Sequence, residues 1–79
     1  MRRKYTEEDL HFLKRFGEHL LELREKAGLS QAALETDSKM SKNQIGRIER
    51  GEISTSITNL NLIAKALGVE LKELFNFQQ

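Results

Sequence analysis

The sequence predicts an all-α fold, a compact bundle of about five helices containing a helix-turn-helix. Three observations carry that expectation. Apolar residues recur at three- and four-residue spacing through most of the chain, glycines fall where such stretches stop, and proline is absent from all 79 residues. No stretch alternates with period two for long enough to make a strand. The length admits one hydrophobic core and excludes a cofactor domain joined to a substrate domain. With 38% hydrophobic and 32% charged residues, the composition is that of a soluble globular protein rather than a disordered tail. Cysteine is absent, which excludes a disulfide framework and a thiolate zinc site. No apolar run approaches the roughly 18 residues of a membrane span. The basic start Met1-Arg2-Arg3-Lys4 leads into a polar stretch, unlike a secretory signal. A cytoplasmic protein without membrane contact is expected.

The first helix opens at Thr6, whose hydroxyl can cap it while Asp9 returns the hydrogen bond; Tyr5 and Leu10 occupy the staple positions. Leu10, Leu13, Phe16, Leu20, Leu23 and Ala27 then share one side, broadened by Phe12 and Leu21, until Gly28 ends the helix with Lys26 near its negative end. Ser30 caps a short second helix reaching about Asp37. The third begins after Ser41, which stands at capping-box spacing from Gln44, with Met40 and Ile45 as staple. Ile45 and Ile48 face inward, and Lys42, Asn43, Gly46 and Arg47 spread over the outer side. Gly51 closes this helix. The Ser54-Thr55-Ser56 cluster caps a fourth, with Ile57, Leu60, Ile63, Ala64 and Leu67 on one face, and Gly68 stops it. Leu71, Leu74 and Phe75 outline a short fifth helix.

Thirteen basic and 12 acidic residues leave a net charge of only +1, but residues 39 to 50 hold Lys39, Lys42, Arg47 and Arg50 against Glu49 alone. That concentration suits a face presented to phosphates, and equally a solvated helix flank. Two consecutive short helices joined by a small polar connection are consistent with a helix-turn-helix, although any small helical bundle contains short capped helices.

The pieces Leu20-x-x-Leu23-Arg24, Gly28-Leu-Ser-Gln31-x-x-Leu34, Met40-Ser41, Ile45-x-Arg47-Ile48-Glu49-Arg50-Gly51, Leu60-x-x-Ile63-Ala64-Lys65-Ala66-Leu67-Gly68-Val69 and Leu71-x-x-Leu74-Phe75 occur in order. From Phe16 to Phe75, 60 of the 79 residues, the chain resembles the lambda-repressor-like, or Cro/C1-type, helix-turn-helix family, also called the XRE family. The resemblance implies a domain over residues 16–77, preceded by an extension of the first helix over residues 1–15. It implies a sequence-specific double-stranded DNA-binding transcriptional regulator, a homodimeric repressor on a palindromic operator. Lys42, Asn43, Gln44 and Arg47 then take the base-contacting positions, and Asn43 with adenine and Arg47 with guanine are the pairings that chemistry favours. Gln31, Arg50, Ser54 and Ser56 fall at backbone-contacting positions, with Arg2, Arg3 and Lys4 as further phosphate candidates. Arg24 and Glu49 match a structural ion pair between the first and third helices. Phe12, Leu71, Leu74, Phe75 and Phe77 are the candidates for the dimer surface. The alternative role is that of an antitoxin or adaptor whose bundle mainly binds a partner protein such as a toxin.

Three positions depart from the family pattern. Glu35 replaces a small residue, so it either reaches solvent or pairs with Lys39. Lys39 replaces a turn glycine and must adopt whatever backbone geometry the turn demands. Thr55 stands where proline is common. No metal, cofactor or catalytic residue is expected. His11 and His19 lie about 12 Å apart along one helix with no converging ligand set among Asp9, Glu18 and Glu22. The Ser and Thr residues sit at caps, and the five glycines are dispersed.

Overall fold

The computed structural model describes residues 4–78; Arg2 and Arg3, expected to track phosphate, lie outside them. Four α-helices follow in order, α1 (Glu7–Lys26), α2 (Gln31–Ser38), α3 (Gln44–Glu49) and α4 (Ile57–Leu67), and a 3-10 helix over Leu71–Phe75 closes the chain. The fifth expected helix is therefore a 3-10 turn.

Each start has a local cause. Thr6 Oγ1 accepts the Asp9 amide and the Asp9 carboxylate accepts the Thr6 amide, both at 3.0 Å, completing the reciprocal cap of α1. Ser30 accepts the Ala33 amide at 3.0 Å, and Ser56 accepts the Asn59 amide at 3.1 Å. The helix ends share one device. After each α-helix the chain turns through a residue of positive φ, and two amides fold back onto the last carbonyls in a Schellman motif. Gly28, Gly51 and Gly68 take that position after α1, α3 and α4, and Lys39, at φ 60°, takes it after α2. The bonds around Lys39 are Lys39 N–H to Thr36 O at 3.2 Å and Met40 N–H to Glu35 O at 2.9 Å. The turn thus demands the left-handed geometry, and a lysine supplies it.

The core comprises Phe16 and Leu20 of α1, Leu34 of α2, Ile45 and Ile48 of α3, Leu60, Ile63, Ala64 and Leu67 of α4, and Leu74. Helix α1 packs on α3 and the 3-10 helix, while α4 packs on α2 and the 3-10 helix. Ser38 is fully buried within this layer, and its hydroxyl donates to the Leu34 carbonyl at 2.6 Å. His19 anchors the tail: its Nε2 donates to the Glu73 carbonyl at 2.7 Å, and its ring lies 5.5 Å from that of Phe77.

Two apolar stripes are shorter than their spacing predicts. Leu10 is 46% exposed and Ala27 is also exposed, because the ends of the 20-residue α1 carry them past the elements that could cover them. Ile57 is 75% exposed, since it occupies the first turn of α4 at the rim of the stripe that begins in earnest at Leu60.

Two glycines permit α1 and α3 to touch backbone to backbone. A Cβ on Gly17 would collide with the Ile48 and Glu49 carbonyls. At Gly51 a Cβ would sit 2.8 Å from Lys14 Cα, in a backbone already at φ 73°. Gly17→Ala therefore lowers stability by about 3 kcal/mol through overpacking, read as a fall of roughly 15 °C in thermal midpoint. An unchanged midpoint would mean that the α1–α3 contact relaxes freely. Lys39→Gly acts in the opposite direction. It relieves a left-handed cost of about 1–2 kcal/mol against a glycine entropy cost of about 0.5–1 kcal/mol, for a net gain of about 0.5 kcal/mol measurable by urea denaturation.

Candidate nucleic-acid interface

Helices α2 and α3 meet through residues 39 to 43, and the geometry of this joint decides which side chains face outward. Gln44 N–H bonds the Ser41 carbonyl at 3.1 Å, closing a tight turn, and Asn43 enters α3 at φ 69°. The expected cap by Ser41 does not form. The left-handed Asn43 breaks the helical path, so α3 begins at Gln44, and Lys42 and Asn43 lie in the turn before it. Asn43 is the N-cap by its backbone alone, its carbonyl accepting the Arg47 amide at 3.1 Å. A capping side chain normally needs an extended backbone at that residue. At φ 69° the Asn43 side chain makes no cap bond, and its amide is left uncommitted.

Lys42, Asn43 and Arg47 are exposed and Gln44 is half-buried, so these four side chains cluster at the entrance and outer side of α3. Gly46 is not on that outer side. It is buried under two side chains, since a Cβ there would lie 3.0 Å from Arg50 Nη1 and 3.2 Å from Gln31 Oε1. Arg50 thus lies along α3 beside Gln31, linking two of the expected backbone contacts. Ser56 is occupied as the cap of α4 and shares a 3.0 Å hydrogen bond with Thr58. Ser54 is exposed beside Tyr5, Asp9, Phe12 and Leu13, against α1. Thr55, in the place where proline is common, accepts from the Asn59 side chain at 2.9 Å. Glu35 is half-buried and forms no ion pair with Lys39, so among the two alternatives it takes partial solvent access.

The frame behind this surface is a buried carboxylate. Arg24 donates from Nε to Glu49 Oε2 at 2.6 Å and from Nη2 to Glu49 Oε1 at 3.1 Å. Arg24 Nη1 donates to the Leu29 carbonyl at 2.9 Å, and Gln31 Nε2 donates to Glu49 Oε1 at 2.8 Å. The Glu49 side chain is 1% exposed. Its hydrogen bond to Arg24 raises the pKa of the guanidinium further above its ordinary value, so this cation does not titrate. Gln31 is consequently a strut between α2 and α3, its amide turned onto Glu49.

The sequence pattern did not single out Glu52. Its carboxylate takes a 2.7 Å hydrogen bond from Arg50 Nε and lies 3.8 Å from Arg47 Nε. The Arg50 hydrogen bond holds the Glu52 carboxyl below its ordinary pKa, with the Arg50 and Arg47 charges adding to the effect. The signal was present in Gly51. In a Schellman motif the residue after the left-handed position returns to the last turn, and here Glu52 N–H bonds the Arg47 carbonyl at 2.9 Å.

Among the dimer candidates, Leu74 is 1% exposed and belongs to the chain's own core, which removes it from any interface. Phe75 is 47% exposed, and Phe12 and Phe77 pack together with ring centroids 5.9 Å apart. Leu71 is half-buried. Among the described residues no helix is long and apolar enough to cross a membrane.

A short helix carrying exposed polar side chains, braced from behind by two others, defines a helix-turn-helix protein. The helix-turn-helix family model matches residues 20–74, and the chain belongs to that family of DNA-binding transcription regulators. It is similar to the control protein C.BamHI of Bacillus amyloliquefaciens, 36% identical over 63 residues that make up 78% of each chain. The control protein C.MunI of Mycoplasma sp is 38% identical over 63 residues, 78% of this chain and 85% of its own. The structure superposes on the restriction-modification controller protein C.AhdI from Aeromonas hydrophila with a TM-score of 0.80 and 40% identity, covering 82% of this chain and 98% of that one. A second match, an HTH_3 family transcriptional regulator from Vibrio cholerae, has a TM-score of 0.78 and 36% identity; 85% of this chain covers 38% of that longer one.

Arg24→Ala would leave the Glu49 carboxylate buried without its main partner. We expect a loss of about 3 kcal/mol, seen as a fall of roughly 15 °C in thermal midpoint. Stability equal to that of the parent would show that Gln31 alone satisfies Glu49.

Proposed function

We propose that the protein is a homodimeric, sequence-specific double-stranded DNA-binding regulator of the restriction-modification controller kind. The observation that carries this reading is the set of exposed side chains at the head of α3. Lys42 and Asn43 in the turn and Arg47 one turn on are exposed and take no part in the core, while three partly buried hydrogen bonds to Glu49 hold the helix behind them. An amide and a guanidinium so placed can make bidentate contacts with adenine and guanine edges in the major groove. Gln44 adds a further base or phosphate contact. Arg50, beside Gln31, and Ser54 and Ser56 before α4 supply backbone contacts, and Lys4 adds a phosphate contact at the chain start. Relatives described as control and controller proteins match most of this chain and most of their own, which supports the controller role and a cytoplasmic setting.

Dimerisation follows from the energetics of so small a module. One such domain buries roughly 600–1,000 Å² of its own surface against DNA, and two-fold pairing doubles that contact on a palindrome. The exposed Phe75, which lines one groove with Phe12, supports a partner surface on the side formed by α1 and the 3-10 helix, where Leu71 is half-buried. Two recognition helices would then lie about 34 Å apart on successive major grooves.

Selection of bound duplexes from a random DNA pool tests the reading, followed by titration of the enriched duplex and a scrambled control at two salt concentrations. The expected result is a palindrome with half-sites about one helical turn apart, bound at least ~10³-fold more tightly than the control. The combined variant Lys42→Ala, Asn43→Gly, Arg47→Ala should lose about 100-fold or more of that preference while keeping its helicity and its dimer mass. Glycine is used at residue 43 because alanine would strain the φ 69° turn. Unchanged specificity in this variant would refute the assignment of α3 as the reading element.

A further inference from the structure

The geometry points to Glu52 as a positioning and specificity-determining residue for DNA readout, hydrogen-bonded to Arg50 along its Nε edge and ion-paired with Arg47, so that both guanidinium groups are held beside α3 for the ligand. This inference rests on the reading of α3 as the DNA-contacting element. Glu52 owes its place to the backbone and not to its charge. Gly51 N–H bonds the Ile48 carbonyl at 3.0 Å and Glu52 N–H bonds the Arg47 carbonyl at 2.9 Å, and the close approach of Lys14 to Gly51 fixes that turn. From there one carboxylate serves two cations. Oε2 accepts Arg50 Nε at 2.7 Å, while Oε1 lies 3.5 Å from Arg50 Nη2 and 3.8 Å from Arg47 Nε.

A guanidinium has five N–H donors in a rigid fork, so holding it by the Nε edge orients the remaining donors without consuming them. Arg50 Nη1, for which no partner is found among the described residues, lies over Gly46, and the missing side chain there lets the guanidinium lie along α3. The three side chains are 54%, 56% and 48% exposed for Arg47, Arg50 and Glu52, and ion pairs this open contribute little to folding. They remain accessible to a ligand. Glu52 also cancels one positive charge on a face that carries Lys39, Lys42, Arg47 and Arg50, which weakens attraction to phosphates of any sequence. Holding Arg47 for a base edge and Arg50 for the backbone beside it, while reducing indiscriminate attraction, raises the ratio between the two kinds of binding.

The test compares the parent chain, Glu52→Gln and Asp37→Asn on the selected duplex and its scrambled control across a salt series. Asp37 is exposed in the last turn of α2, so its variant removes the same charge from the same unit without touching an arginine. Glu52→Gln should bind the scrambled duplex about threefold more tightly and steepen its salt dependence by about 0.9 in log–log slope, the equivalent of one further phosphate contact. The ratio of selected to scrambled affinity should fall about five- to tenfold, with no change in thermal midpoint. Asp37→Asn should shift both duplexes alike and keep the ratio. A ratio that falls no further in Glu52→Gln than in Asp37→Asn overturns the inference. If the parent chain enriches no duplex, the DNA-reading assignment itself fails and takes this inference with it.

Discussion

Burying the Glu49 carboxylate constrains everything around it. An ion removed from water costs several kcal/mol unless its lone pairs are matched, and here three hydrogen bonds from Arg24 and Gln31 match them. Those donors come from α1 and α2, so the requirement to satisfy one carboxylate on α3 fixes three helices relative to one another. The guanidinium fork adds direction that a point charge would not. Gly17 and Gly51 make the arrangement physically reachable, because a single Cβ at either place would push α3 away from α1 and lengthen the Arg24 to Glu49 bonds.

With α3 braced from behind, its outward side is relieved of structural duty. Lys42 and Arg47 pack against nothing in the core, and the ion pairs on this face are open to solvent. The cost of the arrangement collects at the joint instead. Residues 39 to 43 contain both non-glycine residues with positive φ among the described residues, Lys39 and Asn43. Left-handed backbone is tolerated by asparagine and resisted by lysine. The joint thus gives up a little stability, and in return a lysine adds positive charge where the glycine usual at this turn would add none.

Much of this architecture is legible from local chemistry. Thr6 with Asp9, Ser30 and Ser56 mark helix starts because a side-chain oxygen and a nearby amide are enough to define them. Gly28, Gly51 and Gly68 mark the stops for equally local reasons. The pairing of Arg24 with Glu49 came from resemblance to a family, since nothing in a spacing of 25 residues predicts that two side chains meet. Where the reading erred, the deciding factor was tertiary. Ser41 looks like a cap until Asn43 turns left-handed, Gly46 looks outward until Gln31 and Arg50 cover it, and Leu74 looks available until α1 and α4 close over it. Leu10 and Ile57 show the converse, apolar residues with the right spacing and no neighbour to meet. Glu52 was within reach, because a glycine at the end of α3 already implies that the following residue folds back toward Arg47.

The separation between frame and surface sets how readily such a protein could acquire a new binding preference. If α3 reads base edges as proposed, positions 42 and 47 are the ones open to exchange, because both side chains are exposed and neither packs into the frame. Position 43 is another matter, as its backbone makes the bend that starts α3 and its amide is offered outward from the same residue. Its vocabulary is confined to the few side chains at ease in that bend, chiefly asparagine, aspartate and glycine. On that proposal, a shift in preference would proceed more freely at positions 42 and 47 than at position 43.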